Sequence, residues 1–260
     1  MSLKFIDHED RVYRDAPLRS VLAQVRFDPI PALLAEAGTT GFHSVIRGRY
    51  SSGPERATDV DIQLTPANVG VRATAPVWRF KTPADDYVIS LSHDFVALET
   101  ANYTDFDHFL EHFAFALRAV ERTVMPSMSR RVGLRKINAI PLPDPDNPTT
   151  LTARVRVELL GCIAYGSFPA KIRGGEGGLI FEEDLNRLFV RYGLEGSPET
   201  EANFLLDMDY STETPQAVSP DSGIVELVKH FSEGITSFFE WALTPEYKNS
   251  LRPQPKERST

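Results

Sequence analysis

His108, Glu111 and His112 stand in an H-x-x-E-H order, on a stretch whose apolar spacing predicts a helix. Residues four apart share a helix face, so two imidazoles could bind Zn²⁺ there while Glu111 activates a water. The simpler reading has both histidines flanking a phenylalanine-rich core stripe. No third-ligand pattern follows, so no metal is expected. Asp207 and Asp209 put two carboxylates on one face of a strand, where they could hold a cation or work as acid and base. A plain solvent-facing polar pair is the alternative. Arg130, Arg131, Arg135 and Lys136 could contact phosphate or an acidic partner, or pair with carboxylates such as Glu99. The run Arg173 to Gly178 is glycine-rich. A phosphate-cradling loop needs a helix after it, yet Leu179, Ile180 and Phe181 read as a strand, so the run reads as a hairpin turn. Trp78, with Arg79 and Phe80, could line a pocket or form an aromatic core edge. Cys162 sits among apolar residues and reads as inert. Spacing yields no Ser-His-Asp or Cys-His set and no cofactor fingerprint, so no cofactor is expected.

Two long helices must position several of these groups. The first runs over about 105–125, with Phe106, Phe109, Leu110, Phe113, Leu117, Val120 and Val124 at helical spacing. Thr104 is its expected N-cap and Pro126 its stop. The second runs over about 220–242, with Ser219 and Pro220 as cap and first position. Ahead of the first lie strand-like runs at 77–80, 87–91 and 95–100, the last two joined by a short turn at Ser92, His93 and Asp94. Ahead of the second lie runs at 179–182, 188–192 and 203–210. Strand-like entries at 17–27 and 131–140 open the two halves, the first followed by a helical turn at 31–37. Residues 151–164 fit either a helix face or a strand alternation.

The order β-α-β-β-β-α therefore occurs twice. The expected fold is α+β, two pseudo-repeated halves over 12–128 and 129–250, each a mostly antiparallel sheet covered by its long helix. Residues 251–260 read as a disordered tail.

The 260-residue chain is long enough to bury a core without disulfides, and its single cysteine fits a reducing compartment. No run approaches the roughly 18 apolar residues of a membrane span, and the first ten residues have no apolar signal core; a cytoplasmic protein without membrane contact is expected. Net charge is −8, which opposes general attraction to nucleic acid. Residues 130–173 run against that balance, with eight basic and three acidic residues.

The run RRVGLRKIN at 130–138 resembles the RiGLRYiN signature of a sporadically distributed prokaryotic family of proteins without an assigned activity. PLRSVLAQVRF at 17–27 is similar to that family's opening, WRF at 78–80 to its central tryptophan motif, FVALETANY at 95–103 to its "aLET-x-Y" run, and Asp207 with Asp209 to its D-x-D strand. Lys136 departs from the signature, which has an aromatic residue there. The resemblance spans nearly the whole chain and implies a mobile or defence-linked gene context, but no catalytic residues.

The expected function is a non-enzymatic binding or regulatory module for a protein partner or small ligand, with Arg131, Arg135, Lys136 and Trp78 as candidate contacts and a homodimer possible. The alternatives are a metal-assisted hydrolase at His108, Glu111 and His112, or a phosphate- or nucleic-acid-handling protein using 130–173.

Overall fold

The computed structural model describes residues 3–7, 11–57, 60–65, 68–73, 75–144, 147–165, 174–195 and 202–255. In chain order the elements are β1 (Arg11–Tyr13), β2 (Leu18–Phe27), α1 (Thr40–Ile46), β3 (Ser52–Ala57), β4 (Val60–Thr65), β5 (Asn68–Ala73), β6 (Val77–Lys81), β7 (Tyr87–Leu91), β8 (Phe95–Thr100) and α2 (Phe106–Thr123). Then follow β9 (Ser129–Leu142), α3 (Pro148–Thr152), α4 (Val157–Leu160), α5 (Cys162–Tyr165), β10 (Gly175–Glu183), β11 (Asn186–Glu195), β12 (Ala202–Thr212), α6 (Ile224–Ala242), α7 (Pro245–Ser250) and β13 (Pro253–Pro255). Among the described residues the fold is α+β around a mostly antiparallel sheet of nine strands, in the order β10-β11-β12-β9-β2-β8-β7-β6-β3. No described helix is long and apolar enough to cross a membrane.

The chain divides into two compact units, each discontinuous in sequence. One comprises Met1–Arg19, Arg135–Tyr210 and His230–Thr260; the other comprises Ser20–Leu134 and Ser211–Lys229.

In the second of these units, β6, β7 and β8 form a meander, and β8 pairs with β2 from Val21↔Thr100 to Arg26↔Phe95. Tyr87, Ile89 and Leu91 are buried and alternate with half-buried Val88 and Ser90, as a pleat with one core face requires. The β7–β8 turn closes through Ser92 N–H to the Phe95 carbonyl at 2.9 Å. Helix α2 buries Phe109, Phe113, Leu117 and Val120. Its cap is Asp105, whose carboxylate accepts the His108 N–H at 2.7 Å, and not the expected Thr104. Asp105 is the residue with extended φ and ψ, the geometry an N-cap needs.

In the first unit, β12 buries Phe204, Leu206, Met208 and Tyr210. The Tyr210 ring stacks on Phe231 of α6 at 4.6 Å, and Phe181 of β10 meets Phe238 at 5.7 Å. Fully burying each such side chain contributes roughly 1.5–3 kcal/mol. The ambiguous run at 151–164 forms short helices α3, α4 and α5. Its strand character survives only at Val155, which bridges Leu243, because Arg154 and Arg156 exchange backbone hydrogen bonds with Thr244 and Ala242 at 2.9 Å. The expected tail begins too early. Leu251 is buried and Pro253–Pro255 pair with Arg11–Tyr13, so the proline-rich run serves as a short edge strand. Residues 256–260 lie outside the described ones.

Candidate functional site

Helix α2 sets His108 and His112 one turn apart, with ring centroids 4.8 Å from each other. Two tyrosines hold them. The Tyr50 hydroxyl lies 2.7 Å from His112 Nδ1 and the Tyr87 hydroxyl 3.1 Å from His108 Nδ1. The Tyr87 ring also stacks on His112 at 4.1 Å, with 4° between planes. Glu111 turns away to Arg49, whose Nη2 reaches its Oε1 at 2.6 Å, while the Arg49 guanidinium covers the Phe115 ring. Burial, and then the neighbouring His108, push the His112 pKa down; burial pushes the Tyr50 hydroxyl up. A neutral His112 that accepts the Tyr50 O–H hydrogen bond at Nδ1 keeps its own proton on Nε2, which leaves no lone pair there for a metal. Among the described residues no group of three or more His, Cys, Asp or Glu is disposed to hold a metal ion. All three residues of the H-x-x-E-H run thus have protein partners.

A second cluster assembles on three neighbouring strands, β9, β12 and β11. Asp207 accepts two parallel hydrogen bonds from Arg135, Nε and Nη2 each at 2.7 Å, and a third from Arg191 Nη2 at 2.9 Å. Fork-to-fork Arg–carboxylate pairing is both strong and orienting. The side chains of Arg135 and Arg191 are 39% and 53% exposed, that of Asp207 only 9%, so the arginines shelter the carboxylate and stay open to solvent themselves. Alternation explains the placement. Leu188 and Val190 of β11 are buried, while Arg187, Phe189 and Arg191 are exposed on the other face; Asp207 likewise projects opposite to Leu206 and Met208. Asp209 lies two residues on, on the same face.

The remaining candidates have structural tasks. Trp78 is buried and its Nε1 donates to the Leu33 carbonyl at 2.8 Å. Lys136 is buried, and its Nζ donates to Ser232 Oγ of α6 at 2.8 Å. The Arg131 guanidinium lies over Gly133, where a Cβ would come within 2.6 Å of Nη1. A carboxylate of the first half is reached from β9 by Arg130, through Nε and Nη2 to Asp28 at 2.7 and 3.2 Å. Arg154 and Arg156 lie over the Tyr247 and Trp241 rings. The positive window of the sequence is therefore parcelled out among separate partners; Lys171 and Arg173 fall outside the described residues.

The glycine-rich run is no turn where it is described. Gly175, Gly177 and Gly178 lie in β10, paired with β11, and their missing side chains make room for rings. A Cβ at Gly177 would sit 2.7 Å from the Tyr192 ring, and one at Gly178 3.3 Å from Phe189. Arg191, Tyr50 and Tyr87 are site residues that motif reasoning missed. The alternation Arg187-Leu188-Phe189-Val190-Arg191 was the signal that could have found the first.

Comparison with protein-family models and with curated proteins finds no match to the chain.

Proposed function

We propose that the chain is a binding or regulatory module, and that the exposed face around Arg135, Asp207 and Arg191 engages a protein partner. One observation carries this reading: two half-exposed arginines converge on a single sheltered carboxylate, and beside them on the same face stand Phe189 and Ile180, 42% and 60% exposed. Arginine and aromatic residues are the side chains enriched in protein interfaces, and the Asp207 fork fixes their orientation before a partner arrives. The reading includes membership of the RiGLRYiN family, a cytoplasmic setting and a mobile or defence-linked context.

It also includes an internal repeat of two halves, each sheet covered by its long helix. The strand orders β9-β12-β11-β10 and β2-β8-β7-β6 support this. In both, the strand that opens the half lies beside the one that leads to the long helix, followed by its two predecessors.

Quantitative mass spectrometry of proteins retained by the tagged chain in its native cells tests the binding reading. The wild type is expected to retain a partner that Arg191→Ala and Phe189→Ser both lose, with thermal midpoints lowered by no more than a few degrees. Equal retention by all three proteins would refute it.

A further inference from the structure

Strand β10 is the first in the sheet order and, among the described residues, pairs with β11 alone. Among the described residues no strand pairs with the other edge of its nine residues, so one row of backbone N–H and C=O groups is a template on which an extended segment can add a strand. The side chains on its exposed face give the template a character. Glu176, Gly178, Ile180 and Glu182 follow one another there, all exposed, and the strand carries no basic residue. Glu182 does meet Arg187 across β11, but only at 3.4 Å and with both side chains more than 60% exposed, a pair of small worth.

A second copy of the chain fits this edge badly. The two-fold antiparallel register that pairs all nine residues of both copies sets Glu176 against Glu182 twice, and like charges directly opposite are destabilising. A segment with lysine or arginine at those two positions turns both contacts attractive. Between them, an aromatic side chain opposite Gly178 covers the bare backbone, and an aliphatic one meets Ile180.

We propose that β10 accepts a basic, extended segment of a partner protein as an added antiparallel strand, with cationic side chains opposite Glu176 and Glu182 and apolar ones opposite Gly178 and Ile180. This rests on the binding reading and names the chemistry of the partner, whose remaining surface would then lie over Phe189 and Arg191.

The test uses the full chain and two labelled peptides, Lys-Thr-Val-Thr-Tyr-Thr-Lys and the same peptide with both lysines replaced by glutamate, followed by fluorescence polarisation. The basic peptide is expected to bind roughly tenfold or more tightly than the acidic one, with affinity falling as salt rises. In the double variant Glu176→Lys with Glu182→Lys the ranking should invert at an unchanged thermal midpoint. Hydrogen exchange should slow at 175–183 when peptide is present. Equal affinity for both peptides, or protection confined to other segments, would overturn the proposal. So would a chain that sediments alone as a dimer and becomes a monomer on Ile180→Lys, since a second copy would then own the edge. Retention of a partner that depends on Phe189 and Arg191, together with failure of the peptide arm, removes strand addition and leaves the binding reading standing.

Discussion

Asp207 is sheltered while its two arginines are half exposed, and this asymmetry sets the order in which substitutions should hurt. Asp207→Ala leaves two guanidinium groups facing each other without their carboxylate, and losing charged hydrogen bonds costs roughly 1.5–3 kcal/mol. Arg191→Ala removes one solvent-exposed contact and should cost under about 1 kcal/mol. Arg135→Ala should fall between them. Denaturant unfolding of the three variants checks the order; an Arg191→Ala cost equal to that of Asp207→Ala would show that the arginine is a structural prop. The histidine pair supplies a pH test. The folded pKa of His112 lies below its ordinary value, because burial and His108 oppose its charge. The unfolded chain therefore binds the proton more readily, and stability from this group is full above the usual histidine pKa of about 6.5. It should fall as pH drops below that value and level off beneath the folded pKa. Thermal midpoints measured between neutral and mildly acidic pH should show that fall, and His112→Gln should flatten it. An unchanged slope in the variant would assign the pH dependence to other groups.

At the scale of elements, glycines in β9 and β11 separate two kinds of close approach. A Cβ at Gly133 meets the tip of Arg131, which can swing aside. One at Gly193 meets the Gly175 carbonyl oxygen at 2.3 Å, a backbone atom fixed by the ladder. Gly193→Ala should thus cost roughly 1–3 kcal/mol, as overpacking does, and Gly133→Ala clearly less. Urea titration of both would contradict this if the order reversed. Much of this element scale was legible in the sequence. The bounds of β7 follow from alternation, those of β8 from a strand-like run after the short turn at Ser92, His93 and Asp94, and those of α2 and α6 from helical spacing, to within a few residues. Strand β3 was not legible, because Ser52–Ala57 shows no apolar alternation, whereas β4 and β5 were overlooked although Val60, Ile62 and Leu64 alternate with polar residues and Val69 and Val71 lie two apart. Gly175–Gly178 misled because glycine in a strand and glycine in a turn look alike until the rings of Tyr192 and Phe189 are seen above them. The carboxylate of Asp207 and the guanidinium of Arg135 were both legible as candidates, but their pairing was not. It depends on which strands become neighbours, which local pattern does not encode.

At the scale of the whole molecule, both compact units are stitched from distant segments. A cut after residue 128 takes Val132, Leu134, Val218, Ile224 and Val228 from the core of the unit that begins at Ser20, all buried in the intact chain. Residues 1–128 expressed alone should therefore lack a cooperative unfolding transition in calorimetry; a sharp transition would show that the first half stands by itself. The central claim concerns the exposed face of the other unit, and site-specific photo-crosslinking reads it most directly. A photoreactive residue placed at Phe189 is compared in native cells with one placed at Glu246, which is also exposed. The account predicts a discrete protein adduct from position 189 that disappears with Arg191→Ala, and none from position 246. Adducts of equal yield from both positions, or from 246 alone, would contradict it.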